Sequence, residues 1–442
     1  MSIDKSLNLP FPLRSYQIEG ANFLRNRDNA LLADEMGLGK TVQAIIGLRL
    51  LMKEKKLKKV IIVVPASLKS NWLNEFRTWA PKFRPVIVEG SKSKRLYLYK
   101  APIQILIISY ESIREDIEEI KFNQYFDLII LDEAQRIKNY SSNTSKAIRQ
   151  IRSNSKWALT GTPLENSPKD ISSIYSFVKD GLLTKNVSVK EIKEIIIPYF
   201  LRRKKSEVLQ DLPETIEQQI LIDLSPNQRN TYEITKNERV KHIGNLKKSE
   251  KISNILALIT ELKKICNYDP VNKDSSKIET LNEIIDEKKQ NNEKIIVFSQ
   301  YVKTLEKIYE KANCQQKFFY HGQLDLNEKE KNLNDFKLSS GTAILLISLH
   351  AGGVGLNIPE ASTVVMFDRW WNPSVEDQAV ARADRFGREN VLHVIKFLCV
   401  NSVEERIEEI IKEKKYIFDE IVEETAKKVP RLSEEELMKI VL

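Results

Sequence analysis

The chain has 442 residues, 42% hydrophobic and 30% charged, a composition that suits a soluble globular protein with room for two lobes, each with its own core, while Gly at 14 and Pro at 15 exclude long flexible linkers. Net charge is +9, which favours a polyanionic partner such as nucleic acid, although a lysine-rich composition also serves solubility. No run reaches the roughly 18 apolar residues that span a bilayer, the first residues lack an apolar signal core, and Cys266, Cys314 and Cys399 fall at no metal-ligand spacing; membrane partners, zinc fingers and disulfide frameworks are therefore not expected, and the reducing compartment is the cytoplasm (at the nucleoid) or the nucleus.

In chain order, Asn29–Ala33 reads as a buried strand, Ala33-Asp34-Glu35-Met36-Gly37-Leu38-Gly39-Lys40-Thr41 as a turn, and Val42 to Met52 as a helix. Lys53 to Lys59 reads as the solvated end of that helix. Further strands are expected at Val60–Val64, Ile105–Ser109, Leu128–Asp132 and Trp157–Thr160, then at Lys294–Phe298, Phe318–Tyr320, Ala343–Ser348, Thr363–Phe367 and Val391–Phe397. Continuous apolar strands between helices predict parallel sheets covered on both faces, hence an α/β fold of two lobes. Residues 166 to about 290 read as mostly helical, punctuated by Pro198, Pro213, Pro226 and Pro270, and supply helical insertions plus the crossover between lobes. The tail from Val403 is also helical and charged.

The strand–turn–helix around Lys40 is a phosphate cradle. Backbone N–H groups and the positive helix end face the ligand, and Gly37 and Gly39 let the main chain come close. Lys40 supplies charge to the outer phosphates, and the Thr41 hydroxyl holds Mg²⁺. The strict loop pattern has Gly where this chain has Asp34, so the match is to a variant. Asp132 and Glu133 follow a strand and so sit at the sheet's carboxyl edge, beside that loop. Asp132 is assigned to Mg²⁺ through water and Glu133 to orienting and deprotonating the attacking water; alone, the pair also reads as an acidic helix start. Thr160 and Thr162, flanking Gly161, either sense the Mg²⁺ site or form an ordinary turn. Arg382 and Arg385, after Gln378, share one helix face and are either arginine fingers or a surface cluster paired with Glu376, Asp377 and Asp384. Gly352, Gly353 and Gly355 permit close approach to a phosphate or make a plain turn. Trp370 and Trp371 touch a nucleic acid strand or cap a hydrophobic seam.

Taken in order, these pieces resemble the Swi/Snf-type ATPases of helicase superfamily two. Leu13-Arg14-Ser15-Tyr16-Gln17 looks like the adenine-reading segment, with Gln17 as the base contact. DEMGLGKT (34–41), DEAQRIKN (132–139), LTGTPLEN (159–166), IIVFSQY (295–301), AGGVGLNI (351–358), FDRWWNP (367–373) and the arginine segment 378–388 complete the set. The resemblance implies RecA-like lobes over residues 1–198 and 199–442, with a helical insertion at about 224–275 in the second. Phe200-Leu201-Arg202-Arg203-Lys204 looks like the lobe junction, and Cys266 falls in the insertion, packed. It implies nucleotide contacts at Gln17, Asp34, Gly37, Leu38, Gly39, Lys40, Thr41, Gln135, Gly355 and Gln378. It implies DNA contacts at Pro65, Ser67, Lys69, Trp72, Thr162, Ser299, Gln300, Gly322, Gly352 and Trp371. The chain departs from the family at Gln135, where many relatives have His, and at Asp384 and Arg388, where His and Gln are usual.

The implied activity is an ATP- and Mg²⁺-using, DNA-dependent ATPase that moves along duplex DNA and remodels protein–DNA complexes. Other readings are a strand-separating helicase, or the motor of a defence system with a nuclease, methyltransferase or targeting partner. A non-hydrolysing DNA scaffold is disfavoured by the intact Lys40, Asp132, Glu133, Arg382 and Arg385. No zinc module or recruitment arm is visible, so the chain reads as nearly all motor.

Overall fold

Apolar strands buried on both faces set the layout. The computed structural model describes residues 7, 9–55, 57–161, 168–183, 189–209, 213–349, 356–370, 373–384, 388, 390–410, 438 and 440–441. They divide into two units, one up to residue 209 and one from residue 213.

In the first unit α1 (Ser15–Arg25), β1 (Asn29–Leu32), α2 (Lys40–Lys55), β2 (Val60–Val64), α3 (Lys69–Trp79), β3 (Val86–Ile87), α4 (Lys92–Lys100), β4 (Ile105–Ser109), α5 (Tyr110–Asn123) and β5 (Phe126–Asp132) alternate. They are followed by α6 (Asn143–Arg149), β6 (Ser153–Leu159), α7 (Pro168–Val178), α8 (Val189–Ile196), β7 (Phe200–Leu201) and α9 (Lys205–Val208). The sheet runs β3-β4-β2-β5-β6-β1-β7, with every pair parallel. Val60 to Val64 and Ile105 to Ile108 are nearly inaccessible, as expected of strands covered by helices on both faces.

In the second unit β8 (Thr215–Ile222) leads to the helical hairpin α10 (Pro226–Gly244) and α11 (Lys248–Asn267). Then come α12 (Ser276–Lys289), β9 (Lys294–Ser299), α13 (Val302–Lys311), β10 (Gln316–Tyr320), α14 (Leu326–Leu338), β11 (Ala343–Ser348), β12 (Thr363–Met366), α15 (Pro373–Val380) and β13 (Leu392–Cys399). This sheet is also parallel, in the order β10-β11-β9-β12-β13-β8. The α10–α11 hairpin builds a small core of its own around Tyr232, Ile255, Leu258, Leu262 and Cys266. The two α/β lobes with parallel sheets expected from the sequence are thus present. Cys266, Cys314 and Cys399 are all buried. Among the described residues no helix is long and apolar enough to cross a membrane.

Three strands escaped the sequence reading. β3 and β7 are only two residues long. β8 falls inside the stretch expected to be helical; as an edge strand pairing only with β13 it exposes Glu217, Gln218 and Gln219, so it carries no apolar run to betray it. The helix after the phosphate loop begins at Lys40, earlier than expected.

Candidate nucleotide site

β1, β6 and β5 lie side by side, so the segments leaving their carboxyl ends share one edge of the first sheet. After β1 the chain turns through Gly37 (φ +87°) and Gly39 (φ +72°), the left-handed region where a side chain is costly. A Cβ on Gly39 would stand 2.8 Å from Gln17 Nε2, so the Gln17 amide lies against the loop. Gln17 Oε1 accepts from Arg14 N at 3.1 Å, which fixes it at the start of α1. Lys40 Nζ folds back on the loop and donates to the carbonyls of Asp34 (2.7 Å) and Glu35 (3.3 Å). Thr41 follows on the first turn of α2, its side chain partly accessible.

The Asp34 side chain, expected among the nucleotide contacts, is bonded to protein groups instead of open space. It is fully buried and takes a forked pair of bonds from Arg203, Nε at 3.1 Å and Nη2 at 2.6 Å, plus one from Gln43 Nε2 at 3.0 Å. Arg203 also donates to Tyr16 O at 2.6 Å and Glu19 at 3.1 Å. Gly20 makes room for this cluster, since a Cβ there would stand 1.7 Å from Gln43 Oε1. The backbone completes the tie: Ala33 N donates to Leu201 O at 2.7 Å and Glu35 N to Arg203 O at 3.0 Å. The residues after β7 are therefore bolted to the phosphate loop. Sequence reasoning missed Arg203 and Gln43; the signal was Asp34 itself, because a carboxylate at the end of a buried strand requires a cation.

Beside the loop, Asp132 is buried, accepting from Trp72 Nε1 at 2.7 Å and from Glu133 N at 3.0 Å. Its carbonyl accepts from the Tyr110 hydroxyl at 2.7 Å. Burial, then the Glu133 charge, push its carboxyl up to about 6, against the Trp72 bond and the Lys40 charge, which pull it down. Glu133 sits at φ +53°, rare for a residue with a side chain, and is partly accessible. Its carboxylate accepts from Gln135 Nε2 at 2.6 Å, and Gln135 Oε1 accepts from Thr160 Oγ1 at 2.7 Å. Thr160, Gln135 and Glu133 thus form one chain of bonds across the ends of β6 and β5, and Gln can serve both bonds because its amide donates at one end and accepts at the other. Gly161 lies against Lys40, since a Cβ there would be 3.5 Å from Nζ. Thr41 and Asp132 offer hard oxygens, and no cluster of three metal-ligating side chains exists among the described residues. Such a donor set suits Mg²⁺ held with substrate phosphates rather than in a protein cage.

The expected DNA contacts fall in different surroundings, some buried and some exposed. Trp72 is fully buried and serves Asp132, because its indole N–H needs a partner once buried. Pro65 is buried, while Ser67 is exposed and Lys69 pairs with Glu89 at 2.8 Å. Ser299 is buried at the end of β9 and donates to Asp368, whose carboxylate also accepts from Gln300 N and from Asn267 Nδ2 at 3.0 Å. Gly322 is exposed with open space around it. Thr162, Gly352, Gly355, Trp371 and Arg385 lie outside the described residues.

Of the two arginines expected on one helix face, Arg382 is described and lies just past the helix end. α15 ends at Val380, and residues 381–384 continue as tight turns, with Arg382 N bonding to Ala379 O and Asp384 N to Val380 O. Arg382 is buried and its carbonyl accepts from Ile358 N, while Gln378 is half-buried on α15. The two departures from the family pattern meet each other: Arg388 Nη2 reaches Asp384 at 3.1 Å and the Thr215 hydroxyl at 3.1 Å, clamping the start of β8. Upstream, Arg369 is held between Glu376 (2.7 Å) and Glu408 (2.5 Å). Lys263 Nζ from α11 donates to Arg369 O at 2.6 Å, and Lys277 from α12 pairs with Glu404 at 2.6 Å and donates to Phe367 O at 2.8 Å. Phe367 and Arg369 are therefore tied to α11, α12, Glu376 and Glu408.

Family models match most of the chain: an SNF2-related domain over residues 16–271 and a helicase conserved C-terminal domain over residues 276–387. An uncharacterized ATP-dependent helicase of Mycoplasma pneumoniae is 34% identical, covering 97% of this chain and 44% of its own length. The putative ATP-dependent helicase/translocase YwqA of Bacillus subtilis is 32% identical over 93% of this chain and 49% of its own. The human SWI/SNF-related matrix-associated actin-dependent regulator of chromatin subfamily A member 1 is 30% identical over 90% and 42%. The chain spans less than half the length of these relatives. A solved Sulfolobus solfataricus SWI2/SNF2 ATPase core in complex with dsDNA is 30% identical, with 94% of each chain covered and a TM-score of 0.47.

Proposed function

From the premise that this chain belongs to the SNF2-related family, we propose that it is an ATP-driven motor core that moves along duplex DNA and displaces what is bound there. The observation carrying this reading is the bonded row Thr160–Gln135–Glu133, set beside Asp132 and the Lys40 loop on one sheet edge. Lys40 releases the loop carbonyls and binds the outer phosphates of ATP. Thr41 and Asp132 would hold Mg²⁺, which would supply positive charge to those phosphates. Glu133 orients the attacking water and takes its proton, with its carboxylate aimed by Gln135. Arg382 and Arg385 of the second lobe bring guanidinium charge to the triphosphate when ATP draws the lobes together. Alternating grip by the two lobes turns each hydrolysis into a step along the backbone.

The test is triplex displacement on duplex DNA. Wild type with ATP releases the third strand; Lys40→Ala and Glu133→Gln bind duplex but release none. Equal displacement by the Glu133→Gln protein refutes the mechanism, and separation of the duplex itself by wild type would favour a strand-separating helicase.

A further inference from the structure

α6, β6 and α7 border an open hollow of about 350 Å³ in the first unit, lined by Tyr140, Lys146, Arg149, Lys156, Ser176 and Asp180. It is not the nucleotide site. Lys156 stands level with Asn29, the first residue of β1, whereas the phosphate loop leaves the last. Arg149 is locked in place: its guanidinium lies 3.7 Å from the Tyr140 ring centre, one nitrogen donates to Ser176 Oγ at 3.1 Å and another to the Tyr140 carbonyl. The two lysines are not accounted for in this way. Among the described residues neither Lys146 nor Lys156 has a carboxylate within 4.0 Å, and Lys156 Nζ lies over the Phe177 ring, 5.4 Å from its centre. Burial lowers the affinity of Lys156 and Arg149 for their protons, only partly offset by Asp180, and for Arg149 also by Tyr140.

Three cations around one carboxylate, two of them partly withdrawn from water, carry a self-energy that an anion would remove. A guanidinium held in place and two ammonium groups lining one hollow supply the positive charge that phosphate recognition uses.

We propose that this hollow is a second phosphate-binding site, taking either a backbone phosphate of DNA or a free phosphate anion. The site itself is independent of the motor reading; only the DNA occupant rests on it. The test is brief acylation of the 442-residue chain with mass-spectrometric readout at Lys146 and Lys156, using the exposed Lys92 as control. The probes are inorganic phosphate and a short blunt duplex. Severalfold protection of Lys146 and Lys156, but not Lys92, by either probe supports the site. Protection by duplex assigns the occupant as backbone; protection by phosphate alone assigns it as the free anion. Protection by neither overturns the proposal. In the duplex case, Lys146→Gln/Lys156→Gln lowers the salt slope of duplex binding by about 1 to 2 and leaves ATP turnover without DNA unchanged. Should wild type bind no duplex at all, the motor reading fails while the phosphate arm still decides the hollow.

Discussion

At Asp132, burial and the neighbouring Glu133 charge make ionisation costly, with the carboxyl pushed up to about 6 from the 3.8 of an ordinary aspartate. A carboxyl whose pKa is higher folded than unfolded favours the fold when protonated. The metal-free protein should therefore lose stability as pH rises from about 4 to about 6 and be insensitive at this residue above that. Mg²⁺ needs the ionised form, so its affinity should fall roughly tenfold per unit below about pH 6, read by calorimetric titration. Trp72→Phe keeps the ring in place but removes the N–H donor that helps ionise Asp132. The expected outcome is an acidic limb of the ATPase pH profile that moves to higher pH, with the fold intact. An unmoved limb would separate Asp132 from metal binding. A residue's neighbours along the chain give no hint of such pairings: the family resemblance implied Trp72 as a DNA contact, while its bonding partner lies at the end of β5.

At the level of elements, the residues after β7 are joined to the phosphate loop by the Arg203–Asp34 fork. Arg203→Met leaves a buried carboxylate uncompensated and should cost about 3–5 kcal/mol, seen as a lower urea midpoint for the first unit. Combining it with Asp34→Ala should recover most of that loss, because the desolvated charge is gone as well. No recovery would mean that the fork is not what holds the loop. The same logic applies in the second unit, where Lys277→Met alone should destabilise strongly and Lys277→Met/Glu404→Leu much less, since both side chains of that pair are fully buried. Strands such as Val60–Val64 and Ala343–Ser348 were legible in the sequence because both faces are covered and all positions but Ser348 are apolar. β8 was not, because an edge strand needs no such run. The Lys40 loop and the acidic pair were legible from spacing; Arg203, Gln43 and the Trp72 bond were not, because tertiary contacts set them far along the chain. The end of α15 at Val380 was hidden for another reason: Ala-Val-Ala-Arg-Ala suits a helix, and the turn bonds prevail there.

For the whole molecule, a net charge of +9 makes phosphate contacts the expected source of DNA affinity. Duplex binding should weaken steeply as salt rises and vary little with sequence. ATP turnover should rise on adding duplex DNA, measured by phosphate release, and much less with RNA or single strands; stimulation by single strands alone would exclude the duplex motor.

All three native cysteines are shielded, and burial pushes the thiols of Cys314 and Cys399 up, away from the reactive thiolate. Maleimide dyes should therefore leave the native protein almost unstained and attach only where a surface cysteine is introduced. One donor and one acceptor fluorophore, placed at exposed Lys92 and exposed Glu217, would report lobe separation molecule by molecule without any need to strip the natural thiols first.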